Sequence, residues 1–143
     1  MTGGGLAGGL RIFLRCAIAA VLAAAAAGKL SDLEGFAQVL RTYEALPERA
    51  LRPAAVAVPA AEGLLALWLV SGRRLTGAAL ASAVVHLFYG AWSAVSLARG
   101  LDLPNCGCFG VFLARPLTWR TVVEDGLMAA LSLLLLALAR RST

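Results

Sequence analysis

Two cysteines separated by one glycine, Cys106-Gly107-Cys108, are the residues best suited to chemistry in this sequence. A disulfide between them closes a very small ring, and strained, exposed disulfides are the oxidising, labile ones. Gly107 tolerates whatever backbone conformation such a ring imposes. The spacing therefore predicts a redox-active pair, with Cys106 and Cys108 as the catalytic residues of a thiol–disulfide oxidoreductase.

A structural disulfide and a metal site are the alternatives for this pair. A bridge over one residue closes almost no loop and adds little stability. Zinc sites usually have longer spacers and a second pair of ligands, and the single histidine, His86, lies inside an apolar segment. We therefore expect no metal. We also expect Cys16 to be a small buried residue that cannot reach the pair.

Four apolar segments must position the pair, and each is long enough to cross a hydrocarbon core about 30 Å thick as a helix. The chain is 60% hydrophobic and 15% charged, whereas a soluble domain is about half apolar and a quarter charged. The sequence predicts an all-α fold, a single four-transmembrane-helix domain over residues 10–139. The predicted helices are 10–30, 53–71, 75–98 and 121–139.

The segments outside these helices predict the topology. Residues 1–9 are a Gly-rich leader that we expect to be flexible, and 140–143 form a short tail. The tight Arg73-Arg74 turn predicts that this side, with both termini, is cytoplasmic. An Ala-rich stretch ending at Ala27 leaves a cleaved signal peptide as an alternative for the first segment. The net charge of +5 comes from residues at the ends of apolar runs, so we expect membrane lipid and no nucleic acid as a partner.

Two longer connections then lie outside the cytoplasm. Ser31–Arg52 carries an apolar stripe with helical spacing, which predicts an amphipathic helix that acts either as a lid or docking element or as a passive connector. Ser31 is the expected N-cap, with Glu34 completing a capping box, and Leu46-Pro47 the expected end. Arg99–Trp119, called the cysteine loop here, is rich in proline and glycine and predicts loop structure.

Ionisable residues inside the spans are functional candidates. Glu62 and His86 both fall near the midplane, which predicts either a pair that relays a proton or a plain polar contact between helices. Lys29 and Asp125 lie at similar depth beneath the cysteine loop, where an ion pair would position the loop or perturb a thiol. A purely structural pair is equally consistent with the sequence.

Three aromatic residues lie near the outer ends of the spans. Tyr89, Trp92 and Trp119 are expected at the membrane interface. The alternative is a ring-stacking quinone site, in which Glu62, His86 and Trp92 would contact the cofactor. Such a site needs an apolar groove with a few polar anchors.

Several motifs resemble a known family. Gly28-Lys29 with Asp32, Tyr43 with Leu46-Pro47, and Pro59 with Glu62 resemble DoxX-like membrane proteins. The motif Asn105-Cys106-Gly107-Cys108-Phe109-Gly110, followed by Trp119 and Glu124-Asp125, resembles the MauE branch, which is associated with maturing the disulfide-rich small subunit of methylamine dehydrogenase. The resemblance implies a protein of the bacterial cytoplasmic membrane that supports disulfide chemistry outside the cytoplasm, with Asn105 and Phe109 as supporting residues.

These observations predict a membrane thiol–disulfide oxidoreductase. The pair would exchange redox equivalents with a thioredoxin-like partner, as the resemblance implies, or with a cysteine-containing client, and a quinone would be the electron carrier. The rival is a non-enzymatic maturation factor or scaffold whose loop disulfide is structural. A third interpretation is a small-solute or ion carrier that uses Glu62 and His86.

Overall fold

The computed structural model describes residues 3–141, with side chains from residue 5 onward. Five helices and no strand occur in this part of the chain, and four of the helices are long and apolar enough to cross a membrane. The all-α, four-span prediction is therefore confirmed. The helices are α1 (Gly3–Leu30), α2 (Leu33–Thr42), α3 (Glu48–Ser71), α4 (Leu75–Ala98) and α5 (Trp119–Arg140).

Three of the four spans start earlier than the sequence predicts. α1 begins at Gly3, so residues 3–9 are helical rather than a flexible leader; Met1 and Thr2 lie outside the described residues. Glycine lowers helix stability by only about 1 kcal/mol, and backbone groups beside a bilayer need internal hydrogen bonds. α3 starts at Glu48 and continues through Pro53 and Pro59. α5 starts at Trp119, so the cysteine loop ends at residue 118.

The amphipathic segment between α1 and α3 forms α2, but its cap is not the predicted one. Asp32 is the N-cap, and its side chain accepts a hydrogen bond from the Gly35 backbone N–H at 2.8 Å. Ser31 instead donates its hydroxyl to the Ala27 carbonyl, at 2.6 Å, one turn back in α1. Asp32 has this role because α1 continues through Leu30, so Ser31 still belongs to its end. The helix ends at Thr42, before Leu46-Pro47.

The four spans form two closely packed pairs, α1 with α3 and α4 with α5. α4 presents small buried residues, including Ala79, Ser82 and Gly90, which let the backbone of α5 approach. One apolar cluster, around Ile18, Leu69 and Leu135, fills the end of the bundle distant from the cysteine loop. The opposite end, called the loop end here, is formed by α2 and the cysteine loop.

A second apolar cluster fills the loop end. Phe36 from α2 and Tyr43, which directly follows it, pack there with Leu103, Cys106 and Leu117 from the cysteine loop. Large apolar residues elsewhere on the spans remain exposed, as expected for surfaces that face lipid. α2 thus lies on the cysteine loop and buries its apolar face there.

Candidate functional site

Cys106 and Cys108 form a disulfide, with their Cα atoms 5.5 Å apart. Cys106 is only 9% exposed, whereas Cys108 is half-buried. Cys16 is unpaired, as expected, but its side chain is exposed on the outer face of α1 rather than buried. An apolar face turned toward lipid has the same sequence character as a buried one, which explains that error.

Asn105 organises the backbone around the disulfide. Its side-chain oxygen accepts from the Gly107 N–H at 2.9 Å, and its side-chain nitrogen donates to the Gly110 carbonyl at 3.1 Å. The Cys106 N–H donates to the Arg115 carbonyl at 2.7 Å, which ties the two halves of the loop together. Gly107 and Gly110 both have φ of 76°, a left-handed conformation that glycine adopts without strain.

The loop is held between α1 and α2 by contacts that only glycine permits. A Cβ on Gly28 would overlap the Phe109 carbonyl oxygen, and one on Gly110 would overlap the Gly28 carbonyl oxygen. A Cβ on Gly107 would press against Val39 and the Phe36 ring of α2. The disulfide is therefore fixed on both sides by backbone and packed side chains.

Lys29 connects the loop to the interior of the bundle. Its Nζ donates to both Glu62 carboxylate oxygens and to the Cys108 carbonyl, each at 2.8 Å. The Tyr89 hydroxyl donates to Glu62 at 2.8 Å. Lys29 and Glu62 are 4% and 1% exposed, and the Lys29 ammonium lies 5.7 Å from the centre of the Phe36 ring. This buried network supports the disulfide from below.

Two predicted pairs do not form. Lys29 does not pair with Asp125, which makes no hydrogen bond or ion pair among the described residues, because α1 packs against α3 and brings Glu62 closer. Glu62 does not pair with His86, whose Nδ1 is 2.8 Å from the Ser82 carbonyl of its own helix. Glu62 and His86 lie on α3 and α4, and these two helices contact each other only sparsely, so similar depth does not bring the two side chains together.

Tyr43 completes the support of the loop. Its hydroxyl donates to the Cys106 carbonyl at 2.7 Å, and its ring packs on Trp92 with centroids 5.8 Å apart. Burial raises the pKa of Tyr43 to about 12, with a smaller effect from the charge of Asp125. In the sequence, Tyr43 is part of the apolar stripe of Ser31–Arg52, but the pattern does not predict this hydrogen bond. A buried tyrosine hydroxyl usually requires a partner, which was the available signal.

A partly open pocket of about 440 Å³ lies beneath the disulfide, between the two helix pairs. Most of its wall is apolar. Its size falls in the range of small-molecule sites. The predicted quinone residues Glu62, His86 and Trp92 all line it. Trp92 packs between Tyr43 and Phe88 with tilted rings, while Trp119 is exposed at the start of α5.

Metal ligands are not clustered in this part of the molecule. Within the described residues, no group of three histidine, cysteine, aspartate or glutamate side chains is arranged to hold a metal ion. Two acids near the loop, Glu62 and Glu124, bind cationic side chains. Glu62 binds Lys29, and Glu124 binds Arg115 at 2.5 Å and Arg120 at 2.9 Å.

Fold and site together define a small integral membrane protein of four spans, with a disulfide loop over a partly open pocket. The chain belongs to the MauE family, because the family model described as methylamine utilisation protein MauE matches residues 8–138. It is 36% identical over 124 residues to the methylamine utilization protein MauE of Paracoccus denitrificans, covering 87% of this chain and 64% of the relative.

Two further methylamine utilization proteins MauE are similar to this chain. The protein of Paracoccus versutus is 34% identical over 84% of this chain and 64% of its own length. The protein of Methylorubrum extorquens is 33% identical over 82% of this chain and 63% of its own length. The matched region thus spans just under two thirds of these relatives. No solved structure matches the chain.

Proposed function

We propose that this protein is a membrane thiol–disulfide oxidoreductase whose reactive pair is Cys106 and Cys108. The observation that carries the proposal is the position of the disulfide, which lines a partly open pocket and is half-buried at Cys108. In the proposed topology the loop end is extracytoplasmic and both termini are cytoplasmic. The partner is a thioredoxin-like protein or a cysteine-containing client on the outer side.

The exchange proceeds by two thiolate attacks. A client thiolate attacks one sulfur of the disulfide, the Cys106–Cys108 bond breaks, and a mixed disulfide forms. The second client thiolate attacks that mixed bond, so the client leaves oxidised and both cysteines remain as the reduced dithiol. Two electrons and two protons pass from client to protein. The same steps in reverse reduce the client.

Burial favours Cys108 as the sulfur attacked by the partner. Cys106 is 9% exposed and lies in the apolar cluster beneath α2, whereas Cys108 is half-buried. Attack at Cys108 leaves Cys106 as the departing thiolate. Cys106 then stays beside the mixed disulfide, in position to re-form the original bond.

The cavity fits a quinone head group. Its wall is largely apolar, its aromatic side includes Trp92, and Glu62 and His86 supply polar groups. A quinone bound there would supply a two-electron, two-proton acceptor for the dithiol. Glu62 and Lys29 would hold charge and protons beneath the loop, since the Lys29 ammonium already bonds the Cys108 carbonyl. Because the relatives are named for methylamine utilisation, we also propose that the client is a protein of that process whose disulfides this protein helps to form.

Thiol trapping in whole cells tests this function. Cells producing the wild-type protein are challenged with reductant, washed, and labelled with a maleimide tag over time. We expect Cys106 and Cys108 to be reduced and then reoxidised together, and the Cys108→Ala and Cys106→Ala variants to leave client disulfides unformed. Cys16→Ala is the matched control and should behave as wild type. A pair that stays oxidised throughout, with normal client disulfides in both alanine variants, contradicts the proposal.

A maturation scaffold is the second candidate, and the shielding of Cys106 favours it. The loop is clamped between α1 and α2, as a structural disulfide would be. This function predicts that Cys106→Ser combined with Cys108→Ser lowers stability but preserves partner binding. Mass spectrometry of proteins linked to the remaining cysteine of a Cys106→Ala variant separates the two, because only the oxidoreductase traps a client there.

A further inference from the structure

The end of the bundle opposite the loop end contains a second, smaller cavity of about 290 Å³. Its walls come from α1, the α3–α4 turn, the first turn of α4 and the last turn of α5. The lining residues, called the basic pocket here, are Arg11, Arg15, Gly72, Arg74, Leu75, Thr76 and Ala139. Three of these seven residues are arginines, which makes the pocket strongly cationic.

Among the described residues, neither Arg15 nor Arg74 forms an ion pair with an acid. The helix segments that meet at this end, residues 3–16, 63–71, 75–86 and 129–141, contain no aspartate or glutamate. Arg15 lies against Gly72, where a Cβ would overlap its guanidinium, and its Nε is buried without a hydrogen-bond partner among the described residues. An unpaired buried donor of this kind is costly, and a bound anion would satisfy it.

The start of α4 adds further donors to the same pocket. The N-cap, Arg74, provides no side-chain cap. The backbone N–H groups of Leu75 and Thr76 make no hydrogen bond within the described chain, since the first α4 bonds to Arg74 come from Gly77 and Ala78. Unsatisfied N–H groups at a helix start favour an anion. The arginines and these amides surround one cavity.

The position along the spans indicates the source of the anion. Arg11 and Lys29 are separated along α1 by roughly 27 Å at 1.5 Å per residue, close to the thickness of a hydrocarbon core. The pocket thus lies at head-group level, beside the exposed apolar side chains of Ile12 and Phe13. Basic pockets between spans at this level bind lipid head groups.

We propose that the basic pocket binds the phosphate of an anionic phospholipid, with the Arg15 guanidinium and the start of α4 as its principal contacts. Arg74 closes the site from the turn, and the acyl chains lie along the exposed apolar face of α1. This site is independent of the disulfide chemistry, and it remains if the proposed oxidoreductase function is wrong.

Native mass spectrometry of the full chain in detergent tests the site with three probes: phosphatidylglycerol, phosphatidylcholine and inorganic phosphate. We expect phosphatidylglycerol to be retained preferentially. We also expect Arg15→Gln with Arg74→Gln to weaken its retention about tenfold or more. The reason is that losing charged hydrogen bonds of this strength lowers the lipid affinity by roughly a factor of ten. Arg49→Gln with Arg52→Gln removes the same charge at the loop end and should leave retention unchanged.

Three results would overturn the proposal. Equal retention of phosphatidylglycerol and phosphatidylcholine by wild type contradicts an anionic-lipid site, and this arm needs no variant. Binding of inorganic phosphate that displaces the lipid contradicts a lipid source for the anion. Equal losses in the two double variants show a non-specific charge effect. If Arg15→Gln with Arg74→Gln does not fold, Arg74→Gln alone, at an exposed position, supports the same comparison.

Discussion

The two ends of the bundle satisfy their charged groups in opposite ways. At the loop end Lys29, Glu62 and Tyr89 are bonded to one another and to the cysteine loop, and the backbone of Gly28 contacts that loop directly. At the other end Arg15 and Arg74 face a cavity with no acid in the adjoining helix segments. The loop end is closed by the chain itself, whereas the basic pocket depends on a group from its surroundings.

Breaking the ion pair should have the largest effect, because it removes the internal closure of the loop end. Lys29→Met leaves Glu62 buried without its cation, which we expect to lower the free energy of unfolding by about 3–5 kcal/mol. Denaturant titration in mixed micelles measures this. Adding Glu62→Leu should recover most of the loss.

An exposed ion pair is the matched comparison for Lys29. Arg52 and Glu34 are bonded at 2.8 Å, but both side chains are mostly exposed. Arg52→Met should therefore leave the unfolding curve close to that of wild type. Similar losses in Lys29→Met and Arg52→Met would show that burial does not distinguish the two pairs.

The glycine contact between α1 and the loop should give the next largest effect. Gly28→Ala places a methyl group on the Phe109 carbonyl, and overpacking against backbone costs about 2–3 kcal/mol. Gly63→Ala is the control within α3, because its nearest side-chain atom is Ala26 Cβ at 3.8 Å. The control should be neutral or gain about 0.5–1 kcal/mol from helix propensity. Thermal unfolding of both variants in one detergent makes the comparison.

Loss of the Tyr43 hydroxyl should have a smaller effect. Tyr43→Phe leaves the Cys106 carbonyl without its 2.7 Å donor, at a cost of about 1–2 kcal/mol. Burial raises the pKa of Tyr43 from 10.0 to about 12, so its contribution is fully present below pH 10 and is lost as pH rises through 12. The stability difference between wild type and Tyr43→Phe should therefore be constant from pH 6 to 9, about one unit or more below the lower pKa. If the stability difference instead decreases between pH 6 and 9, the raised pKa of Tyr43 is contradicted.

The smallest effect is expected at the other end of the molecule. Gly72→Ala meets the Arg15 guanidinium, which is the far end of a flexible side chain, and has φ of 67°. We expect only the left-handed backbone penalty of about 1 kcal/mol, measured by the same thermal unfolding. A loss equal to that of Gly28→Ala would show that Arg15 is held as rigidly as the loop backbone.

The sequence predicted the spans well because membrane segments follow from apolar length alone. α4 has the predicted bounds, and the cysteine loop is irregular as its prolines and glycines indicated. Helix starts were less predictable. Asp32 rather than Ser31 caps α2, because the end of α1 determines which residue is free to do so. Likewise, the sequence does not reveal that Cys16 lies on the exposed face of α1, because lipid-facing and buried apolar residues have the same sequence character.

Sequence reasoning did not predict which of the candidate site residues bond to one another. The sequence indicates Lys29 and Glu62 as candidate residues. It predicts Asp125 as the partner of Lys29 and His86 as the partner of Glu62, and neither pair forms. Depth along a span follows from residue number, at 1.5 Å per residue. Partner choice depends on which helices pack together and on their rotation, and these are set by contacts between segments distant in sequence.

The amino-acid sequence by itself determined that this is a four-span membrane protein with a Cys-Gly-Cys motif in a loop between the third and fourth spans, because hydrophobic length and residue spacing are local properties. Only the tertiary structure decided that Lys29 bonds Glu62 and the Cys108 carbonyl, that Tyr43 bonds Cys106, and that the disulfide lies over a cavity. Those features arise from the pairing of α1 with α3 and the placement of α2 over the loop, which no local pattern specifies.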